Sequence, residues 1–97
     1  LEPGARFVLS ALNADDRIKA ARAVIVGEGR LDRTTLEGKI AAEIAVRARQ
    51  LGVPCHAVVG SNGLEPIDQR ILDIQAVIEA TTLEEIEQAG REIAAYL

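Results

Sequence analysis

The stretch VIVGEGRLDRTTLEGKI, residues 24–40, gathers the residue types that phosphate chemistry needs. Gly27, Gly29 and Gly38 lack side chains, which lets a backbone turn sharply or approach a ligand closely. Arg30 and Lys39 supply positive charge. Glu28 and Asp32 supply hard oxygens for Mg²⁺, or one of them can accept a proton from a substrate hydroxyl. Thr34-x-x-Glu37 has capping-box spacing, so a helix is expected from Thr34. Its free N–H groups and positive dipole end would face the loop and favour an anion. Positioning, charge neutralisation and a base are what phosphoryl transfer requires.

The pattern is not a P-loop, because Arg33 stands where the first glycine belongs and Ile40 follows Lys39 in place of Ser or Thr. It is not the dinucleotide fingerprint either, because Gly27-x-Gly29 has Asp at position 32 where a third glycine is needed. The residues alone leave two readings open. One is a phosphate or other anion site. The other is a well-capped turn between strand and helix whose charges point into water.

The elements that must position this stretch follow from hydrophobic patterning. AVIV (23–26), HAVVG (56–60) and AVIEA (76–80) are short apolar runs, expected as strands buried on both faces. Helical spacing predicts helices over 5–12 and 15–22, and another from Thr34 with Leu36, Ile40, Ile44 and Ala48, joined by Ala41 and Ala45, on one face. Gly52 and Pro54 should end it. Pro66 should open a short helix, PIDQRIL. Thr82-x-x-Glu85 should cap a last helix with Leu83, Ile86, Gly90, Ile93, Ala94 and Leu97 on its buried side. Strands alternating with helices predict one α/β domain over 1–97, three-layered and Rossmann-like, with about three parallel strands and helices on both faces. So small a sheet leaves open edges, so self-association, or packing against a missing domain, is expected.

Composition narrows the function classes. Of the 97 residues, 48% are apolar, nearly all aliphatic, and only Phe7 and Tyr96 are aromatic. Without aromatic platforms or a basic patch, and with a net charge of −4, no nucleic-acid partner is expected. No apolar run suits a membrane span. A single cysteine, Cys55, rules out an internal disulfide and a multi-cysteine zinc site, and suits a reduced, cytoplasmic setting. Cys55 and His56 are expected as core residues. GSNG (60–63) ends the second strand, as an ordinary turn or as a second approach to the ligand of 27–39. The chain begins at Leu1, which suggests processing or excision from a longer protein.

VIVGEGRLDRTTLEGK closely resembles the Gly-Glu-Gly-Arg-(Leu/Ile)-Asp…Thr…Gly-Lys signature of the type 1 glycerate kinase family. LEPGARFVLSAL, GVPCHAVVGS and LDIQAVIEATTLEEI resemble its flanking segments, so the resemblance covers almost the whole chain. Thr34, Ala41 and Glu43 depart from residues common at their positions. The resemblance implies an ATP-dependent, Mg²⁺-requiring kinase that phosphorylates D-glycerate to a phosphoglycerate. It also implies that this chain is the C-terminal portion of a longer, two-domain enzyme and inactive alone. Gly27, Glu28, Gly29, Arg30, Asp32, Thr35, Gly38 and Lys39 match the signature. Asp32, Lys39 and Glu28 become the catalytic candidates, with Glu28 and Asp32 as Mg²⁺ ligands. Gly27, Gly29, Arg30, Thr35 and Gly38 become the substrate- and phosphate-binding candidates. The rival expectation is a non-catalytic, truncated module that binds a small anion or a partner domain; a third is an unrelated Rossmann-like interaction domain.

Overall fold

The computed structural model describes Leu9, residues 12–36 and residues 40–95. The helix expected over 5–12 falls almost wholly outside the described residues. Helix α1 (Ala14–Ala20) leads into strand β1 (Val24–Leu31) and a 3-10 turn (Arg33–Leu36). Then follow α2 (Ile40–Gln50), β2 (Cys55–Asn62), α3 (Pro66–Leu72), β3 (Ile74–Glu79) and α4 (Leu83–Ala94). The strands form one parallel sheet in the order β1-β2-β3. Helices α1, α2 and α3 neighbour one another on one face, and α4 packs on β2 and β3 from the other. This is the expected small α/β fold, three-layered and Rossmann-like.

Small side chains build the main core. Ala41, Ala42, Ala45 and Ala48 of α2 are buried against Val26, Leu31, Ala57 and Val59. Alanine lets a helix lie close to a sheet, so Ile44 is only partly buried and Ile40 is half exposed. The alanines expected on the apolar face, Ala41, Ala45 and Ala48, are the ones buried, while Ile40 and Ile44 lie at its margin. Helix α2 stops where expected: Gly52 takes φ +72° and Val53 N donates to Ala48 O at 2.9 Å. An ion pair from Arg47 to Asp15, at 2.9 Å, ties α2 to α1.

Central β2 is buried on both faces, with Cys55, His56, Ala57 and Val59 all inaccessible. His56 is therefore a core residue, as expected. Burial pushes the Cys55 thiol up to about 11, aided by the nearby Asp73 carboxylate, so it stays protonated and unreactive. Strand β1 corrects the reading in two ways. It does not end at Val26 but runs on through Gly27, Glu28, Gly29 and Arg30 to Leu31. It is also covered on one face only, since Ile25 is 54% exposed. Helix α4 covers β2 and β3 and leaves the back of β1 open.

The same geometry corrects the last helix. Ala89 and Ile93 are buried, but Leu83 is 73% exposed and Ile86 half exposed. The sheet under α4 is too narrow to cover the full apolar stripe. Ile67 and Ile71 of α3 are exposed as well. Exposed apolar residues on three elements predict association of the isolated chain. Light scattering over about a hundredfold concentration range should show growing mass, and a constant monomer would contradict it.

The α4 capping box forms as expected. Glu85 N donates to Thr82 Oγ1 at 3.1 Å, and Thr82 N donates to Glu85 Oε1 at 3.2 Å. Hydrogen bonds from the Thr81 backbone and hydroxyl, and from Thr82, hold the Glu85 carboxyl below its ordinary 4.5. A carboxylate whose pKa is depressed on folding stabilises above its unfolded value and loses that contribution as pH falls through the folded one. Thr82→Ala should therefore cost about 1 kcal/mol at neutral pH, typical of a lost cap. The stability gap between wild type and Glu85→Gln should close below about pH 4.5. Thermal melts of both variants at pH 7 and pH 3 check this, and a gap that widens in acid would refute it.

Candidate functional site

The carboxyl ends of β1 and β2 bring Arg30 and Asp32, of the sequence-expected residues, together with Ser61 and Gly63. Parallel pairing runs Val24↔Cys55 to Glu28↔Val59, then resumes at Arg30↔Ser61 and Leu31↔Asn62. Val26 and Leu31 both enter the core on the α2 side, although alternation would put them on opposite faces. The alternation therefore slips between Glu28 and Leu31. The slip lies where Gly29 passes Gly60: a Cβ on Gly60 would sit 2.6 Å from the Gly29 carbonyl oxygen. These glycines serve the approach of strand to strand. Gly27 and Gly29 lie in extended strand, so of the two expectations for them, a sharp turn or close approach to a ligand, the turn is not what they make.

The slip turns Arg30 outward, its side chain 61% exposed. Its Nε donates to Asp32 Oδ2 at 3.2 Å and its Nη1 to Ser61 Oγ at 3.3 Å. The Cβ that Gly63 lacks would lie 2.5 Å from Arg30 Nη2, so only glycine lets the guanidinium keep this place. Gly63 N in turn donates to Leu31 O at 2.6 Å. The GSNG segment thus closes on the signature segment, and the Arg30 guanidinium bridges the two.

Asp32 holds the turn that follows. Its Oδ1 accepts from Thr34 N at 2.9 Å and from Thr34 Oγ1 at 2.6 Å. Asp32, not Thr34, is therefore the cap, and the turn it opens is 3-10. The hydrogen bond from the Thr34 hydroxyl, with those from the Thr34 backbone and Arg30, holds the Asp32 carboxyl below its ordinary 3.8. It is ionised, committed as an acceptor and poorly suited to take a proton. The Thr34 N–H of the turn meets this carboxylate. α2 begins at Ile40, not Thr34. Glu37, Gly38, Lys39 and the Thr35 side chain lie outside the described residues.

Glu28 lies within β1, half-buried and paired at Val59. Three residues of extended chain put roughly 10 Å between Glu28 and Leu31. Asp32 lies beyond, beside the Arg30 cation. A Mg²⁺ ion shared by Glu28 and Asp32 does not fit this arrangement, since the guanidinium opposes a dication and Asp32 already accepts three hydrogen bonds. Among the described residues no group of three or more His, Cys, Asp or Glu side chains could hold a metal.

Two further charges stand at the same end. Arg33 opens the 3-10 turn, and its Nη2 lies 3.6 Å from Oδ1 of Asp68 in the first turn of α3. Asp68 is buried. In sequence it reads as an ordinary acid at a helix start. The available signal was topological: in a parallel sheet, the helix after β2 starts at the end where β1 finishes. An apolar cavity of about 240 Å³, lined by Leu9, Leu12, Ile18, Val24 and Ile44 among others, touches β1 only at its opposite, amino end. Among the described residues no helix is long and apolar enough to cross a membrane.

Comparison with known proteins covers the chain from end to end. It matches the Glycerate kinase family over residues 1–97. It is 38% identical to a glycerate kinase of Halalkalibacterium halodurans, over 97% of this chain and 28% of that protein. It is 33% identical to a glycerate kinase of Bacillus cereus, over 95% of this chain and 25% of the relative. It is 29% identical to the glycerate 2-kinase of Escherichia coli, over all of this chain and 29% of the relative. The chain thus spans less than a third of the length of these relatives.

Proposed function

This chain belongs to the glycerate kinase family, and from that premise we propose that it is the C-terminal portion of a longer kinase that phosphorylates D-glycerate with ATP. The observation that carries the reading is the Arg30 guanidinium, fixed between Asp32 and Ser61 at the carboxyl ends of two parallel strands. Open α/β sheets bind ligands at that end. A guanidinium held by two partners keeps further N–H donors for a phosphate or carboxylate, and a held donor needs no reorganisation as charge develops.

In this reading Arg30 and Lys39 meet the anionic oxygens of the substrates, and Thr35 and Gly38 line the same approach. Asp32 orients Arg30 and holds the turn. Glu28, the signature acid outside that cap, accepts the proton of the attacking hydroxyl. Gly27 and Gly29 leave the backbone of β1 open to close approach by a ligand, since a Cβ on Gly29 would meet nothing within 4 Å. Mg²⁺ would arrive on the nucleotide phosphates, as it does where the protein offers no cage of its own.

The test is glycerate-dependent ADP release by the full-length protein with Mg²⁺ and ATP. Release that depends on D-glycerate is the expected result. Binding of ATP or glycerate without turnover would favour the rival reading, a non-catalytic module.

A further inference from the structure

Asp68 is a carboxylate where carboxylates are rare. It is 2% exposed, and acids are almost never that buried without a partner. The ion pair described for it is lopsided: the Asp68 side chain is 3% exposed, while Arg33, whose Nη2 lies at 3.6 Å, is 77% exposed. Such a pair is weak evidence for stability, because desolvating the acid offsets the attraction. What it does achieve is direction. It holds one end of a long, flexible cation from inside the protein and leaves the rest of the guanidinium facing out.

The backbone beneath Arg33 is fixed too. Arg33 opens the 3-10 turn that Asp32 caps through Thr34. Arg30 and Arg33 thus share one plan, an arginine with an acid behind it, at the end of β1. Asp68 reaches this point from α3, after β2. A planar fork whose one end pairs with an acid keeps its N–H donors for a second oxyanion, with a geometry that a lysine ammonium lacks.

We propose that Arg33 is a second oxyanion-binding cation of this site and that Asp68 is its positioning residue. The inference rests on the kinase reading above and names its next two residues. Its ligand is an oxyanion, which can come from the glycerate carboxylate or from the nucleotide phosphates. The experiment separates these sources by measuring the KM of each substrate on the full-length kinase.

Arg33→Ala strips buried Asp68 of its cation and should lower the melting temperature; assayed well below that temperature, it should raise one KM about 10-fold or more, the scale of a lost charge-assisted hydrogen bond. A rise for D-glycerate assigns Arg33 to the carboxylate, and a rise for ATP assigns it to phosphate. Asp68→Asn should raise the same KM and add little in the double variant, because it acts through Arg33. If Asp68→Asn does not fold, Asp68→Glu replaces it with the same expected readout. Both KM values unmoved by Arg33→Ala would overturn the proposal. So would an Asp68 variant that lowers only the melting temperature, or whose KM effect is additive with that of Arg33→Ala. If the wild-type protein releases no ADP with glycerate, the kinase reading alone fails. Calorimetric titration with inorganic phosphate then decides: Arg33→Ala should bind about 10-fold more weakly than wild type, and equal binding overturns the inference.

Discussion

Arg30→Ala in the full-length kinase is expected to lower kcat/KM about 10²-fold, the scale of removing one transition-state charge contact. The melting temperature should barely move. Arg30 is 61% exposed, and exposed ion pairs contribute little to stability. Arg30→Lys should not restore activity, because an ammonium cannot meet Asp32 and Ser61 and still present a planar fork. Lys39→Ala should lose activity on the same scale. Asp32 needs a subtler substitution, because Asp32→Ala removes the cap of the 3-10 turn as well as the partner of Arg30. Asp32→Asn keeps an acceptor for Thr34 N and removes the charge, so it isolates the effect on Arg30. Near-wild-type kinetics for Arg30→Ala, Lys39→Ala and Asp32→Asn would reduce the stretch to a capped turn.

Features set by a few neighbouring residues are legible in the sequence. The Thr82–Glu85 capping box, the Gly52 helix stop and the Pro66 helix start depend on contacts within about five residues, and all three form as expected. Features set by distant segments are not legible in this way. β1 extends to Leu31 because β2 lies beside it, and that pairing outweighs the poor strand propensity of two glycines. The exposed back of β1 and the exposed Leu83 share one cause: α4 packs on two of three strands, which no periodicity records. At the site, the signature marked Arg30 and Asp32, but their roles came from geometry. Asp32 caps and restrains rather than standing open as a base. Ser61, Arg33 and Asp68 belong to the same end of the sheet yet come from three separate segments with no shared motif. A capped turn and the proposed anion site are compatible, because the cap holds the side chain of Arg30.

The largest effect is expected from the simplest experiment, an assay of these 97 residues alone. They should show no glycerate-dependent ADP release. Two of the candidate cations are open to water, with side chains 61% exposed at Arg30 and 77% at Arg33. Phosphoryl transfer is catalysed by positioning and by charge stabilisation in a site from which water is excluded. Holding two reactants together can supply roughly 7–11 kcal/mol of barrier reduction, and a single wall supplies little of it. Losing the facing surface should therefore cost at least about 10⁴-fold, which puts turnover below detection. We place that surface along β1. Among the described residues β1 is an edge strand with one side unpaired, its back face exposes Ile25, and the candidate site lies at its carboxyl end. A partner laid along β1 would cover apolar surface and bring its own groups to face Arg30. Purified chain in a coupled assay with Mg²⁺, ATP and D-glycerate checks this beside the full-length protein. Turnover comparable to the full-length enzyme would mean that the chain closes its own site, and the proposal that a further domain completes it would be wrong.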